Sequence, residues 1–83
     1  MAEIEIYTTN SCPYCVRAKN LLQRKGMEYK EINIGFDENK WSEMISRSGG
    51  KRTVPQIFIG GISIGGCDEL YALERSGKLD SMI

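Results

Sequence analysis

The chain opens on an alternation, "EIEIYT", in which Ile4 and Ile6 fall on one side and charged or polar neighbours on the other. Period-two alternation with a β-branched bias predicts a half-buried strand ending near Thr8. The period then changes. In "CPYCVRAKNLLQRKG" the apolar positions Cys15, Ala18 and Leu22, with Leu21 beside them, recur at helical spacing. Pro13 suits the first turn of a helix, where its missing N–H has no partner to lose, and Gly26 is a suitable stop. "YKEINI" returns to strand spacing, and "FDENKWSEMISRSGG" is helical through Trp41, Met44 and Ile45 before a double glycine. "VPQIFIGGISIGG" holds two β-rich runs, Gln56–Ile59 and Ile62–Ile64, joined by Gly60 and Gly61, which is a hairpin signal. "CDELYALERSGKL" then places Asp68 and Glu69 in a first turn, Leu70 and Leu73 on one face and Gly77 at its end, predicting a third helix.

The predicted order is βαβ, a helix, a β-hairpin and a final helix. A βαβ unit implies two parallel strands joined by a right-handed crossover, to which the hairpin adds antiparallel partners. The expected fold is α/β, a four-stranded mixed β-sheet flanked by three helices, forming a single domain over residues 1–83. Composition agrees: 83 residues suffice for one small domain, and 41% apolar with 27% charged residues is ordinary globular make-up. Three cysteines leave at least one thiol outside any intramolecular pairing, which favours a reducing compartment. The opening "MAEIEIYTTN" carries acids where a secretory signal has basic residues, and no apolar run approaches membrane-spanning length, so a cytoplasmic protein with no membrane partner is expected. Eleven basic and eleven acidic side chains cancel, removing the footprint of a nucleic-acid binder. The balance is not local. Between Thr8 and Met27 there is no acid, while Arg17, Lys19, Arg24 and Lys25 all lie there.

Within that positive stretch, "SCPYC" places Cys12 and Cys15 two residues apart. Structural zinc takes four Cys or His ligands, and this chain has three cysteines and no histidine. A structural disulfide closing so short a loop removes little entropy from the unfolded chain. A redox pair explains the placement better. At a helix N-terminus, orphan backbone N–H groups and the positive end of the helix dipole favour a thiolate at Cys12. Cys15, one turn further and on the apolar stripe, holds its proton more firmly. Cys12 is therefore the expected attacker and Cys15 the resolver. A CxxC at the strand–helix junction of a βαβ unit is a stronger signal than the spacing alone.

Taken together and in order, "CPYC", "TVPQIFIGG" and "IGGCDEL" resemble the glutaredoxin family, in particular its small bacterial dithiol members, over nearly the whole chain. The resemblance implies a thioredoxin fold and glutathione-dependent reduction of protein disulfides and of protein–glutathione mixed disulfides. Glutathione would be the reductant, with no tightly bound cofactor and no metal. The partners would be glutathione and disulfide-bonded or glutathionylated proteins, with ribonucleotide reductase a candidate, and the chain would act as a monomer. Tyr14 would form a flat, partly exposed wall for the ligand. Thr53 and Val54 would lie beside the tripeptide, the Val54 backbone pairing with it as an added strand does. Pro55 matches the family's cis-proline; from sequence alone it reads as the start of an edge strand. Gly66, Cys67 and Asp68 would offer backbone amides to a carboxylate at a helix N-terminus. Asp68 would also face the ligand's amine or else cap the helix. Cys67 reads as a small buried residue or as an oxidisable thiol.

Two positions depart from the family pattern. The lysine often found three residues before the first cysteine is Thr9 here, and a position often Gln or Arg early in the second helix aligns approximately with Trp41. "SGGKRTVP" is also one residue longer than the common spacing. Arg52 is therefore the expected carboxylate contact, helped by Lys51 or Arg47. Two rivals remain at this stage. One is a thioredoxin-like reductant charged by a flavoprotein reductase. The other is a [2Fe–2S] module in which two chains and two glutathiones hold a cluster through Cys12; Pro13 argues against it.

Overall fold

The computed structural model describes residues 2–82. Strand β1 (Ile4–Thr8) runs through the middle of a sheet with β2 (Lys30–Asn33) on one side and β3 (Gln56–Ile59) on the other, and β4 (Ile62–Gly65) completes the order β2-β1-β3-β4. The β1–β2 pair is parallel and the other two are antiparallel. Helix α1 (Pro13–Arg24) makes the crossover between β1 and β2. Helices α2 (Glu38–Arg47) and α3 (Cys67–Arg75) follow β2 and β4. The arrangement is the thioredoxin fold expected from the sequence.

Register explains how two cores share one sheet. Ile4 faces Ile59 and Ile6 faces Ile57 across β1 and β3, so all four point to the same side. There they join Ala18, Leu21 and Leu22 of α1 and Cys67 and Leu70 of α3 in the larger core. The intervening residues Tyr7 and Phe58 point to the opposite side and pack with Ile34 and with Met44 of α2. Their rings meet edge to face, with centroids 5.5 Å apart. A one-residue slip of β3 would turn each set into the wrong core.

The second core is thinner and carries charge. Arg47 stacks over Phe58 at 4.3 Å, binds Glu5 at 2.9 Å and donates to the Tyr7 hydroxyl at 2.7 Å. The Tyr7 hydroxyl donates in turn to Glu43. The Arg47 hydrogen bond pulls the Glu5 carboxyl below its ordinary value. Arg47 is thus committed to tying α2 onto β1, which corrects the expectation that it helps to bind a carboxylate.

Helix ends follow local chemistry. Asp37 caps α2 by accepting from the amides of Asn39 and Lys40. Helix α3 ends just before Gly77, as expected, and that glycine, at φ 76°, then starts a further four-residue helix, α4 (Lys78–Ser81). Its Leu79 is fully buried in the larger core. One apolar residue in a four-residue segment has no period, so this turn left no hydrophobic pattern to read.

Candidate active site

Cys12 occupies the N-cap of α1, in extended conformation, with Pro13 opening the helix behind it. Its side chain folds back over the first turn, so that the Cys15 amide donates to the Cys12 sulfur at 3.2 Å. This is the bond an N-cap Ser or Asp would accept, made here to sulfur, and negative charge on that sulfur strengthens it. No acid lies in the first turn of α1. The Cys12 thiol points to the Val54 carbonyl, 3.7 Å away.

Cys15 lies on the buried face of α1, only 1% exposed. Burial, reinforced by the hydrogen bond with Cys12, pushes its thiol up to about 12. A backbone hydrogen bond from Thr9 and the charge of Lys19 act the other way but are weaker. Lys19 itself is held by Glu31 at 2.9 Å, and Glu31 also accepts from the buried Thr8 hydroxyl at 2.8 Å. A partly exposed sulfur thus stands in front of a buried, protonated one, and the charge of α1 that reaches the pair is that of Lys19, acting on the inner sulfur.

On the far side of Cys12, the Val54–Pro55 peptide is cis. A shallow groove of about 170 Å³ is lined by Tyr14, Thr53, Val54, Pro55, Gly66, Cys67, Asp68 and Glu69. Of the residues predicted from sequence to contact a ligand, all but Arg52 and its named helpers Lys51 and Arg47 therefore line one groove; Lys51 and Arg52 are exposed next to it in the chain. Tyr14 is 55% exposed, as expected for a wall. A larger cavity of about 640 Å³ lies under Ala2–Ile4 and residues 26–30, and contains none of the predicted residues.

The N-terminus of α3 closes the groove. Gly66 is its N-cap, so Asp68 lies inside the first turn and does not cap the helix. The Glu69 carboxylate reaches back to accept from the Gly66 amide at 2.7 Å. That amide is engaged internally, while the next two, of Cys67 and Asp68, lie in the first turn where no intrahelical carbonyl reaches them. A side chain at Gly66 would meet the Pro55 carbonyl at 3.1 Å, which explains why a glycine stands where α3 approaches the proline loop. Cys67 is 5% exposed, and burial raises its thiol above the ordinary value, only partly offset by the Arg17 charge. Trp41 donates its indole N–H to the Gly35 carbonyl at 2.8 Å and so braces the β2–α2 turn.

Two residues of this region escaped the sequence reading as site residues. Glu69 stands three residues after Gly66, the spacing at which a glutamate side chain accepts from the N-cap amide. Gln56 was read only as the start of a strand, and nothing in its spacing marked it. Among the described residues, no group of three or more His, Cys, Asp or Glu side chains is arranged to hold a metal ion.

A thioredoxin fold with a Cys-X-X-Cys at the start of its first helix, the outer sulfur beside a cis-proline loop, defines a thiol–disulfide oxidoreductase. The glutaredoxin family model matches residues 4–64. Glutaredoxin 3 of Escherichia coli K12 is 54% identical over 83 residues, covering 100% of this chain and 99% of its own. The solution structure of glutaredoxin from Brucella melitensis is 54% identical, with a TM-score of 0.83 over 99% of this chain and 88% of its own. The crystal structure of a buckwheat glutaredoxin–glutathione complex is 33% identical, with a TM-score of 0.87 over 98% of this chain and 76% of its own. The chain belongs to the glutaredoxin family and is a glutathione-dependent thiol–disulfide oxidoreductase; neither rival reading is favoured.

Proposed function

We propose that Cys12 is the attacking sulfur, that Cys15 is the resolving one, and that glutathione lies along the groove between Tyr14, the Thr53–Pro55 segment and the start of α3. The observation that carries this reading is the position of the Cys12 sulfur between the Cys15 amide and the Val54 carbonyl, at the edge of that groove. The buckwheat relative, solved as a glutathione complex, supports the choice of ligand.

With a protein–glutathione disulfide, the Cys12 thiolate attacks the glutathione sulfur. The Cys12–glutathione bond forms, the old disulfide breaks, and the protein sulfur leaves with the electron pair and takes a proton from solvent. A second glutathione thiolate then attacks the sulfur of the bound glutathione, releasing glutathione disulfide and restoring the Cys12 thiolate. One glutathione thiol is consumed: its sulfur is oxidised to the disulfide level as the protein sulfur is reduced, and the other half of the glutathione disulfide comes from the substrate. With a protein disulfide, Cys12 forms a mixed disulfide with one protein sulfur. Cys15, after losing its proton, attacks Cys12 and leaves an internal Cys12–Cys15 bond for glutathione to reduce. Burial, and after it the hydrogen bond with Cys12, hold the proton on Cys15 in the reduced protein, where it is a poor nucleophile.

In the groove, the Val54 backbone pairs with the peptide as an added strand, and the Cys67 and Asp68 amides receive a carboxylate. The Asp68 carboxylate faces the ligand's amine, and Arg52 supplies the charge for the other carboxylate. The chain works as a single cytoplasmic domain over residues 1–83 and as a monomer, with no tightly bound cofactor. Its substrates are glutathionylated and disulfide-bonded proteins, ribonucleotide reductase being a candidate. The odd cysteine count and balanced charge support this setting.

The test is mixed-disulfide reduction by wild type, Cys12→Ser and Cys15→Ser. Activity is lost at Cys12→Ser and retained at Cys15→Ser with a glutathionylated substrate; retention in both variants sinks the assignment. For the carboxylate contact, Arg52→Ala raises the glutathione KM about threefold and Arg24→Ala does not. Equal effects of the two changes refute the role of Arg52.

A further inference from the structure

Gln56 begins β3 directly after Pro55 and is 2% exposed. Its side-chain amide donates from Nε2 to the Thr53 hydroxyl oxygen at 3.2 Å, while Oε1 has no hydrogen-bond partner among the described residues. A half-satisfied amide in a core is costly, and an apolar residue of similar volume would avoid that cost. The amide orientation also has a physical basis. Turned over, Gln56 would leave both of its N–H groups without an acceptor, in place of one N–H and the carbonyl oxygen, and an orphan N–H is the rarer of the two in a core. With Nε2 donating, a lone pair of the Thr53 oxygen is engaged from beneath. The single hydroxyl proton of Thr53 is then left for an acceptor on the other side, where this exposed residue lines the groove.

We propose that Gln56 is a positioning residue for the thiol-exchange reaction: its buried amide fixes the Thr53 hydroxyl as a donor toward an acceptor oxygen of bound glutathione. The proposal rests on the reading that glutathione lies along Thr53. It also accounts for an amide at this position. A carboxylate accepts but does not donate, so it would claim the Thr53 proton for itself and turn the hydroxyl's lone pairs toward the ligand.

The experiment measures glutathione KM and kcat in mixed-disulfide reduction for wild type, Gln56→Met, Thr53→Val and the double variant. Gln56→Met is expected to raise KM about threefold to tenfold, the worth of one neutral hydrogen bond, with kcat within about twofold of wild type. Added to Thr53→Val, which removes the hydroxyl, it is expected to raise KM no further. A purely packing role predicts a lower unfolding midpoint with KM unmoved, or the same fold-change in both backgrounds; either result overturns the proposal. If Thr53→Val alone leaves KM unchanged, the contact between Thr53 and glutathione fails and the Gln56 role falls with it. If Thr53→Val raises KM and Gln56→Met does not, only the Gln56 role falls. Should Gln56→Met not fold, the wild-type protein decides by NMR. The Gln56 side-chain amide protons are expected to shift on titration with S-methylglutathione, which cannot exchange disulfides, and an unmoved signal overturns the proposal.

Discussion

Two helices of this protein begin with a cysteine, and the two sulfurs have opposite fates. Cys12 is the N-cap of α1: its side chain turns back over the helix end, its sulfur takes the amide of Cys15, and it remains partly exposed. Cys67 is one position later, the first residue of α3 behind the Gly66 N-cap. From there its side chain enters the larger core with Leu70, and burial raises its thiol. The same dipole and the same kind of orphan amides are available at both ends. What differs is one position along the chain, which decides whether the side chain folds over the amides or away from them. A cysteine near a helix N-terminus is therefore not sufficient for a reactive thiol; it must be the capping residue and reach solvent.

The strongest test of this contrast is alkylation of the reduced protein by iodoacetamide near neutral pH, followed by peptide mapping. Cys12 is expected to react about a hundredfold faster than Cys67 or Cys15, because its sulfur can reach and attack the reagent while burial shields the other two and holds their protons. Comparable rates at Cys12 and Cys67 would erase the distinction.

A second prediction concerns the buried member of the pair. In the unfolded chain the Cys15 thiol ionises near its ordinary value of 9.0, whereas in the folded protein it keeps its proton up to about 12. Below about pH 9 both states hold the proton and Cys15 favours neither. Above it only the unfolded state gives the proton up, so stability falls as pH rises through that window. Urea midpoints of reduced wild type should drop between about pH 9 and about pH 11, and Cys15→Ser should flatten the drop. An equal slope in both proteins would show that Cys15 is not the group responsible.

The smallest effect concerns the cap that takes the place of a side chain at Gly66. Glu69→Ala removes the acceptor of the Gly66 amide and should cost about 1 kcal/mol in denaturant unfolding. It frees a third amide at the groove end of α3. Activity should persist, and an unchanged unfolding midpoint would mean that solvent replaces the carboxylate without loss.

Most of this architecture was legible in the order of residues. The shift of hydrophobic period from two to helical spacing and back marks each strand and the three longer helices, because burial of one face imposes that period whatever the neighbours are. The Gly60–Gly61 hairpin and the pairing of Cys12 with a helix start were readable for similar local reasons. The stripe of Cys15, Ala18, Leu21 and Leu22 is the buried set found in α1. Glu69 fits one half of a capping box, a glutamate three residues after the N-cap whose amide it accepts from.

Other features depended on which elements meet. Arg47 looks in sequence like one more cation near a candidate anion site. Only the packing of α2 against β1 commits it to Glu5 and Tyr7, 42 and 40 residues away in the chain. Gln56 resembles any polar residue in a strand, and its bond to Thr53 depends on the path of the loop around Pro55. The burial of Leu79, which holds α4, depends on α3 and the larger core meeting it. Local chemistry selects the elements, their caps and the reactive pair, since those depend on spacing along one chain. The partners of a buried charge or amide are decided in three dimensions, because a desolvated polar group takes whichever complementary group the fold brings within hydrogen-bond reach.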